Sequence, residues 1–129
     1  VGAKSMRRLH PFMTRAEKLI GKRRSLSALL DRAIKKLNRV GRRSFGESWE
    51  ELLLFVQLLR DWSAGDYRDI SNKSLILVVA SLLYFVAPFD AIPDFLFGWG
   101  YLDDLAILRM VVKVIKAELE KFKEWKKTQ

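Results

Sequence analysis

The sequence predicts an all-α fold, a small bundle of four to five helices around a central apolar helical hairpin. Three observations carry that prediction. No stretch alternates apolar and polar residues with a period of two between hairpin turns. Apolar residues recur instead at spacings of three and four. One run, Leu75 to Phe89, holds no charged residue at all. Half of the 129 residues are hydrophobic and 30% are charged, a balance that supports a folded core and excludes global disorder.

The helices are expected in the following order. Residues 14–24 form a short basic helical segment, with Thr14 and Glu17 in the spacing of a capping box. A second helix runs from Ser25 to about Gly41, either separate from the first or continuous with it through a bend near Gly21. Leu26, Leu29, Leu30, Ala33, Ile34, Leu37 and Val40 share its inner face, and Arg32, Lys35, Lys36 and Arg39 its outer face. The third spans about Glu47 to Ala64. Ser48 is placed to cap it, and Glu50 and Glu51 lie in the first turn, where the helix dipole favours acids. Its apolar residues, Trp49 to Trp62, cover more than half of its circumference, so it packs on two sides. Gly65 ends it, and Gly65 to Asp69 reads as a polar turn.

Ser71 opens the next helix, which ends before Pro88 because a residue preceding proline is driven out of the α region. The uncharged run is shorter than the ~20 residues a helix needs to span a bilayer. The last helix is expected from about Leu102 to Trp125, with Leu105, Leu108, Val112, Ile115, Leu119 and Phe122 inward. Lysines crowd its second half, the end that favours cations. In terms of domains, residues 1–45 form a basic helical segment and residues 46–129 a helical body, together one folded unit.

Charge divides the chain. Residues 1–43 hold fourteen Lys and Arg against Glu17 and Asp31, a net +12, which leaves −3 for the remainder of an overall +9. Such a segment suits an anionic partner, either a phospholipid surface or an acidic protein. The residues expected to meet it are Arg23, Arg24, Arg32, Lys35, Lys36, Arg39, Arg42 and Arg43. A hydrophobic protein partner is the further possibility. Nucleic acid fits less well, because Phe12 is the only aromatic among residues 1–43 on which a base would stack. Residues 1–20 lack the continuous apolar stretch of a signal peptide, and there is no cysteine. The expected location is therefore cytoplasmic, with a peripheral position on the inner face of the membrane. The absence of cysteine removes disulfides, thiolate metal sites and cysteine nucleophiles. The single histidine, His10, provides neither a histidine pair for a metal nor a credible triad.

One stretch departs from the rest. Residues 87–104, APFDAIPDFLFGWGYLDD, place Asp90, Asp94, Asp103 and Asp104 among bulky apolar side chains. Each acid has an ordinary structural role open to it. Asp90 stands where an N-cap belongs, Asp94 in the turn after it, and Asp103 and Asp104 in the first turn of the last helix. The alternative is a carboxylate site for Mg²⁺ or Ca²⁺, either for binding or for hydrolysis, built from the same four residues. The spacing matches no EF-hand, and no zinc, Walker or glycosidase pattern accompanies it. The structural reading is preferred, and no catalytic residue and no obligatory cofactor is assigned.

The segment 82–108 resembles the core of the YkvA-like family of small bacterial domains. The resemblance rests on Tyr84, Ala87-Pro88-Phe89-Asp90, Ile92-Pro93-Asp94 and Gly100-Tyr101-Leu102-Asp103-Asp104. It covers about residues 67–115. It implies an all-helical hairpin, often near membranes, with no established reaction and no catalytic residue to transfer. A non-enzymatic helical interaction domain at the cytoplasmic face of a membrane is the expected function. Basic residues on both sides of the apolar hairpin favour a pose with both ends cytoplasmic. The aspartates oppose deep insertion, since each costs about 2.5–3.5 kcal/mol at the bilayer centre.

Overall fold

The computed structural model describes the backbone of residues 2–40, 48–86 and 109–129, and the side chains of residues 9–39, 49–86 and 109–129. These residues form helices joined by short turns, with no strand among them. The helices are α1 (Gly2–Ile20), α2 (Arg23–Val40), α3 (Ser48–Ala64), α4 (Asn72–Val86) and α5 (Lys116–Lys127). Residues 109–114 are helical and lead into α5. The all-α bundle is as expected. The tip of the expected hairpin, the start of the last helix, Leu105 and Leu108 lie outside the described residues.

Helix α4 is the centre of the molecule. Twelve of its fifteen residues are buried, from Ser74 to Val86 with Tyr84 excepted. Its side chains are apolar all round, which a helix tolerates only when it is covered on every side. Helices α1, α2 and α3 supply the cover, with α1 packed on it most extensively. The two buried serines do not interrupt this. Ser81 donates its hydroxyl to the Val78 carbonyl at 2.9 Å, and Ser74 holds its hydroxyl 3.0 Å from that of Ser71. Ser71 caps the helix as expected, its Oγ accepting from the Ser74 N–H at 3.2 Å.

Helix α1 begins before the expected residue 14 and ends before 24. Thr14 and Glu17 lie inside it, so their spacing is not a helix start. Leu9 and Ala16 are buried, and Phe12, Met13, Leu19 and Ile20 pack against the core. That stripe extends through Pro11, which the helix accommodates although it lacks the N–H of that turn. Gly21 and Lys22 separate α1 from α2, so the two are distinct helices. The turn is closed by the Lys22 N–H to the Leu19 carbonyl at 2.8 Å.

The α3–α4 connection is more than a polar turn. Gly65 has φ 88°, a left-handed backbone that glycine adopts without strain. Its N–H reaches the Trp62 carbonyl at 3.0 Å, and the Asp66 N–H reaches that of Asp61 at 2.9 Å. These two bonds are the Schellman closure of a helix C-terminus. The next residue, Tyr67, turns inward and is buried. Its ring meets Phe122 and Trp125 with centroids 5.0 Å apart in each case. Helix α5 is fastened to this corner by polar bonds as well. Glu118 accepts from the Ser71 N–H at 3.0 Å, and Lys126 pairs with Asp61 at 2.8 Å. Val111, Ile115, Leu119 and Phe122 form the buried stripe of the C-terminal segment, with Val112 only partly buried. Val111 occupies the position expected of Val112.

Candidate functional site

The candidate site is the outer face of α2 together with its ends. Leu26, Leu29, Leu30, Ala33 and Leu37 bury one side of this helix, as the spacing predicts, and Ile34 is half-buried. The opposite side presents Arg23, Arg24, Arg32, Lys35 and Arg39, all exposed. Helix α2 has no acid in its first turn, where the dipole would favour one, and places Arg23 and Arg24 there instead. Cations at that end are not explained by helix stability, which leaves a surface role for them. The preceding helix adds His10, Arg15 and Lys18, and the turn adds Lys22, all exposed. Sequence reasoning grouped the binding residues on α2 and beyond. The continuation onto α1 was available from the spacing of its apolar stripe, which leaves Arg15 and Lys18 on the outside.

Lys36 does not belong to this surface. It is 3% exposed, and its ammonium donates to the Phe85 carbonyl in the last turn of α4. It also stands 4.4 Å from the centroid of the Phe85 ring. The physical reason is position: Lys36 follows Leu29 by seven residues and Ala33 by three, on the inward stripe of α2. Burial there is tolerable because the charge meets a backbone carbonyl and an aromatic face. Lys36 thus ties α2 to the C-terminal end of α4. Arg42 and Arg43 lie outside the described residues, as do Asp90, Asp94, Asp103 and Asp104. Among the described residues no three carboxylates or imidazoles gather in a way that holds a metal ion.

Among the described residues no helix is long and apolar enough to cross a membrane. The sequence profile of a family described as "protein of unknown function (DUF1232)" matches residues 74–109, which begin inside α4. A protein of Bacillus subtilis (strain 168), described as "uncharacterized membrane protein YkvA", is 42% identical over 77 residues, which are 60% of this chain and 73% of that protein. The chain belongs to this YkvA-like family. No solved structure matches it. The family profile includes α4, whose Phe85 carbonyl receives Lys36. It does not include α1 or α2.

Proposed function

We propose that the protein is a non-enzymatic helical interaction domain that docks peripherally on an anionic membrane surface at its cytoplasmic face. One observation carries this reading: α2 buries one side in the bundle and exposes Arg23, Arg24, Arg32, Lys35 and Arg39 on the other. A helix held rigidly by its apolar stripe presents such cations to a plane of lipid phosphates without having to fold first. Helix α4 has its apolar surface covered by α1, α2 and α3, which supports a peripheral rather than a spanning pose. The description of the Bacillus subtilis relative as a membrane protein points the same way.

Co-sedimentation with vesicles tests the proposal. Binding to phosphatidylglycerol vesicles should exceed binding to phosphatidylcholine vesicles and should fall with salt. Each basic residue near an anionic surface contributes about 1 kcal/mol. Replacing Arg23, Arg24 and Lys35 by Gln should therefore weaken binding by roughly a hundredfold, with the helical CD spectrum unchanged. Failure of the parent protein to bind anionic vesicles at low salt would remove the membrane reading.

A further inference from the structure

The cations of the α1–α2 surface fall into two patterns. Arg24, Arg32, Lys35 and Arg39 are drawn out along α2, the first and the last fifteen positions apart. At about 1.5 Å per residue that line is ~22 Å long. The connection between α1 and α2 gathers as many cations within seven residues: Lys18 in the last turn of α1, Lys22 after Gly21, and Arg23 and Arg24 at the start of α2. All four are exposed, and the chain has no acid between Glu17 and Asp31. The backbone beneath them is fixed. The Lys22 N–H reaches the Leu19 carbonyl at 2.8 Å, and the Leu26 N–H reaches the Lys22 carbonyl at 3.0 Å. Leu26 lies in the core, and Leu19 and Ile20 pack against it. Among the described residues, nothing packs within 4 Å of the position a Cβ on Gly21 would occupy, so the tip stands clear. The cluster works against the fold. Like charges this close repel, and Arg23 and Arg24 also meet the positive end of the α2 dipole.

We propose that the α1–α2 turn is the lipid-selective part of the docking surface, and that Lys18, Lys22, Arg23 and Arg24 take a headgroup in which two phosphates are joined in one molecule, that of diphosphatidylglycerol. The inference rests on the membrane reading above. A line of spaced cations meets singly charged headgroups one at a time, wherever they lie in the plane. A tight cluster does not. To neutralise it, several singly charged lipids must be brought together against their mutual repulsion and give up their lateral freedom. Two phosphates already linked meet that cost once, since the first contact raises the effective concentration of the second phosphate. Arginine suits the role, because its guanidinium offers a fork of donors to phosphate oxygens. A turn whose backbone is already held has little ordering left to lose on binding. The headgroup would also relieve the repulsion that the free protein carries, so the same residues that weaken the fold strengthen the complex.

Co-sedimentation would compare phosphatidylcholine vesicles containing phosphatidylglycerol with vesicles containing diphosphatidylglycerol at half the molar fraction, so that both carry the same phosphate charge. The parent protein should bind the second kind more tightly, on the order of tenfold. Lys22→Gln/Arg23→Gln/Arg24→Gln should lose that preference, whereas Arg15→Gln/Lys35→Gln should weaken binding to both kinds alike and keep it. Without lipid, the triple variant should melt above the parent by roughly 2–4 °C, because the repulsion is gone. Equal binding of the parent to both vesicles overturns the selective turn and leaves the membrane reading standing. A preference that survives in the triple variant overturns it as well. So does a triple variant that melts at or below the parent temperature, since the cations then serve the fold. Sodium tripolyphosphate supplies linked phosphates without a bilayer. If it raises the melting temperature of the parent while the vesicles show no preference, the cluster takes a soluble polyphosphate and the lipid assignment is overturned. Absence of binding to either vesicle overturns the membrane reading, and the selective turn with it.

Discussion

Removing the ammonium of Lys36 while keeping its stem isolates what the buried charge contributes. Lys36→Met does this, since methionine fills nearly the same volume with a flexible, apolar chain. The bond to the Phe85 carbonyl is charge-assisted and contributes about 1.5–3 kcal/mol. The ring of Phe85 at 4.4 Å adds about 2 kcal/mol for a desolvated cation. Against these stands the cost of taking an ammonium out of water, several kcal/mol for a buried ion. The truncation also takes this donor away from the Phe85 carbonyl. The net expectation is a loss of about 1–3 kcal/mol for Lys36→Met. Lys36→Ala also deletes three buried methylenes at ~0.8 kcal/mol each, so it should cost about 2 kcal/mol more. Urea unfolding followed by CD measures both, with an unchanged m-value showing that the native and denatured states keep their compactness. A Lys36→Met protein as stable as the parent, or more so, would refute the reasoning. It would mean that desolvation outweighs the bonds and that α2 is held by its apolar stripe alone.

Three further outcomes are expected. Leu82 is fully buried at the centre of α4, so Leu82→Ala should cost about 2–5 kcal/mol in the same assay; a loss below about 1 kcal/mol would mean that α4 is not packed on all sides. Burial, followed by the charges of Asp69 and Glu118, pushes the Tyr67 phenol above its ordinary pKa of 10.0. The unfolded chain thus ionises first, and the stability that is complete below pH 10 is lost as pH rises towards the folded-state value. Tyr67→Phe should cost about 0.5–1.5 kcal/mol at neutral pH, because the bond to the Asp69 carbonyl is gone, and should flatten that alkaline decline. A parallel decline in both proteins would assign the loss to other groups. For the aspartates of residues 90–104, we expect EDTA to leave the melting temperature unchanged, Asp90→Asn to be mild and Asp90→Ala to cost about 1 kcal/mol. A drop with EDTA that Asp90→Asn abolishes would instead mark a ligand.

Much of the helical framework was legible because its signals are local. Ser71 and Gly65 bracket the α3–α4 turn in sequence as they do in space, one through a side-chain cap and the other through a left-handed backbone. The inner stripe of α2 followed from spacing alone. Two errors have a common cause, a local signal set against a longer period. Thr14 and Glu17 match a helix start, yet the stripe from Leu9 to Ile20 runs through them and fixes α1 as one helix. Lys36 was placed outside by its charge, although its register with Leu29 and Ala33 places it inside. Tyr67 was hidden in a polar turn because its partners, Phe122 and Trp125, are more than fifty residues away in sequence. No periodicity within the turn predicts such a contact.

Hydropathy alone is an ambiguous guide to lipid contact in this chain. An uncharged helix is equally the signature of a membrane segment and of the centre of a bundle. In this chain the described residues of α4, Asn72–Val86, are fewer than the ~20 a bilayer requires, and α1, α2 and α3 pack on them. The property that bears on a membrane is therefore the character of the cover rather than that of α4. Helix α2 brings an exposed basic face and a buried lysine that fixes it in place. Helix α1 brings the exposed Arg15 and Lys18 on one side and an apolar stripe from Leu9 to Ile20 on the other. A membrane that docks on this protein would therefore meet the cations of α1 and α2 before it met α4.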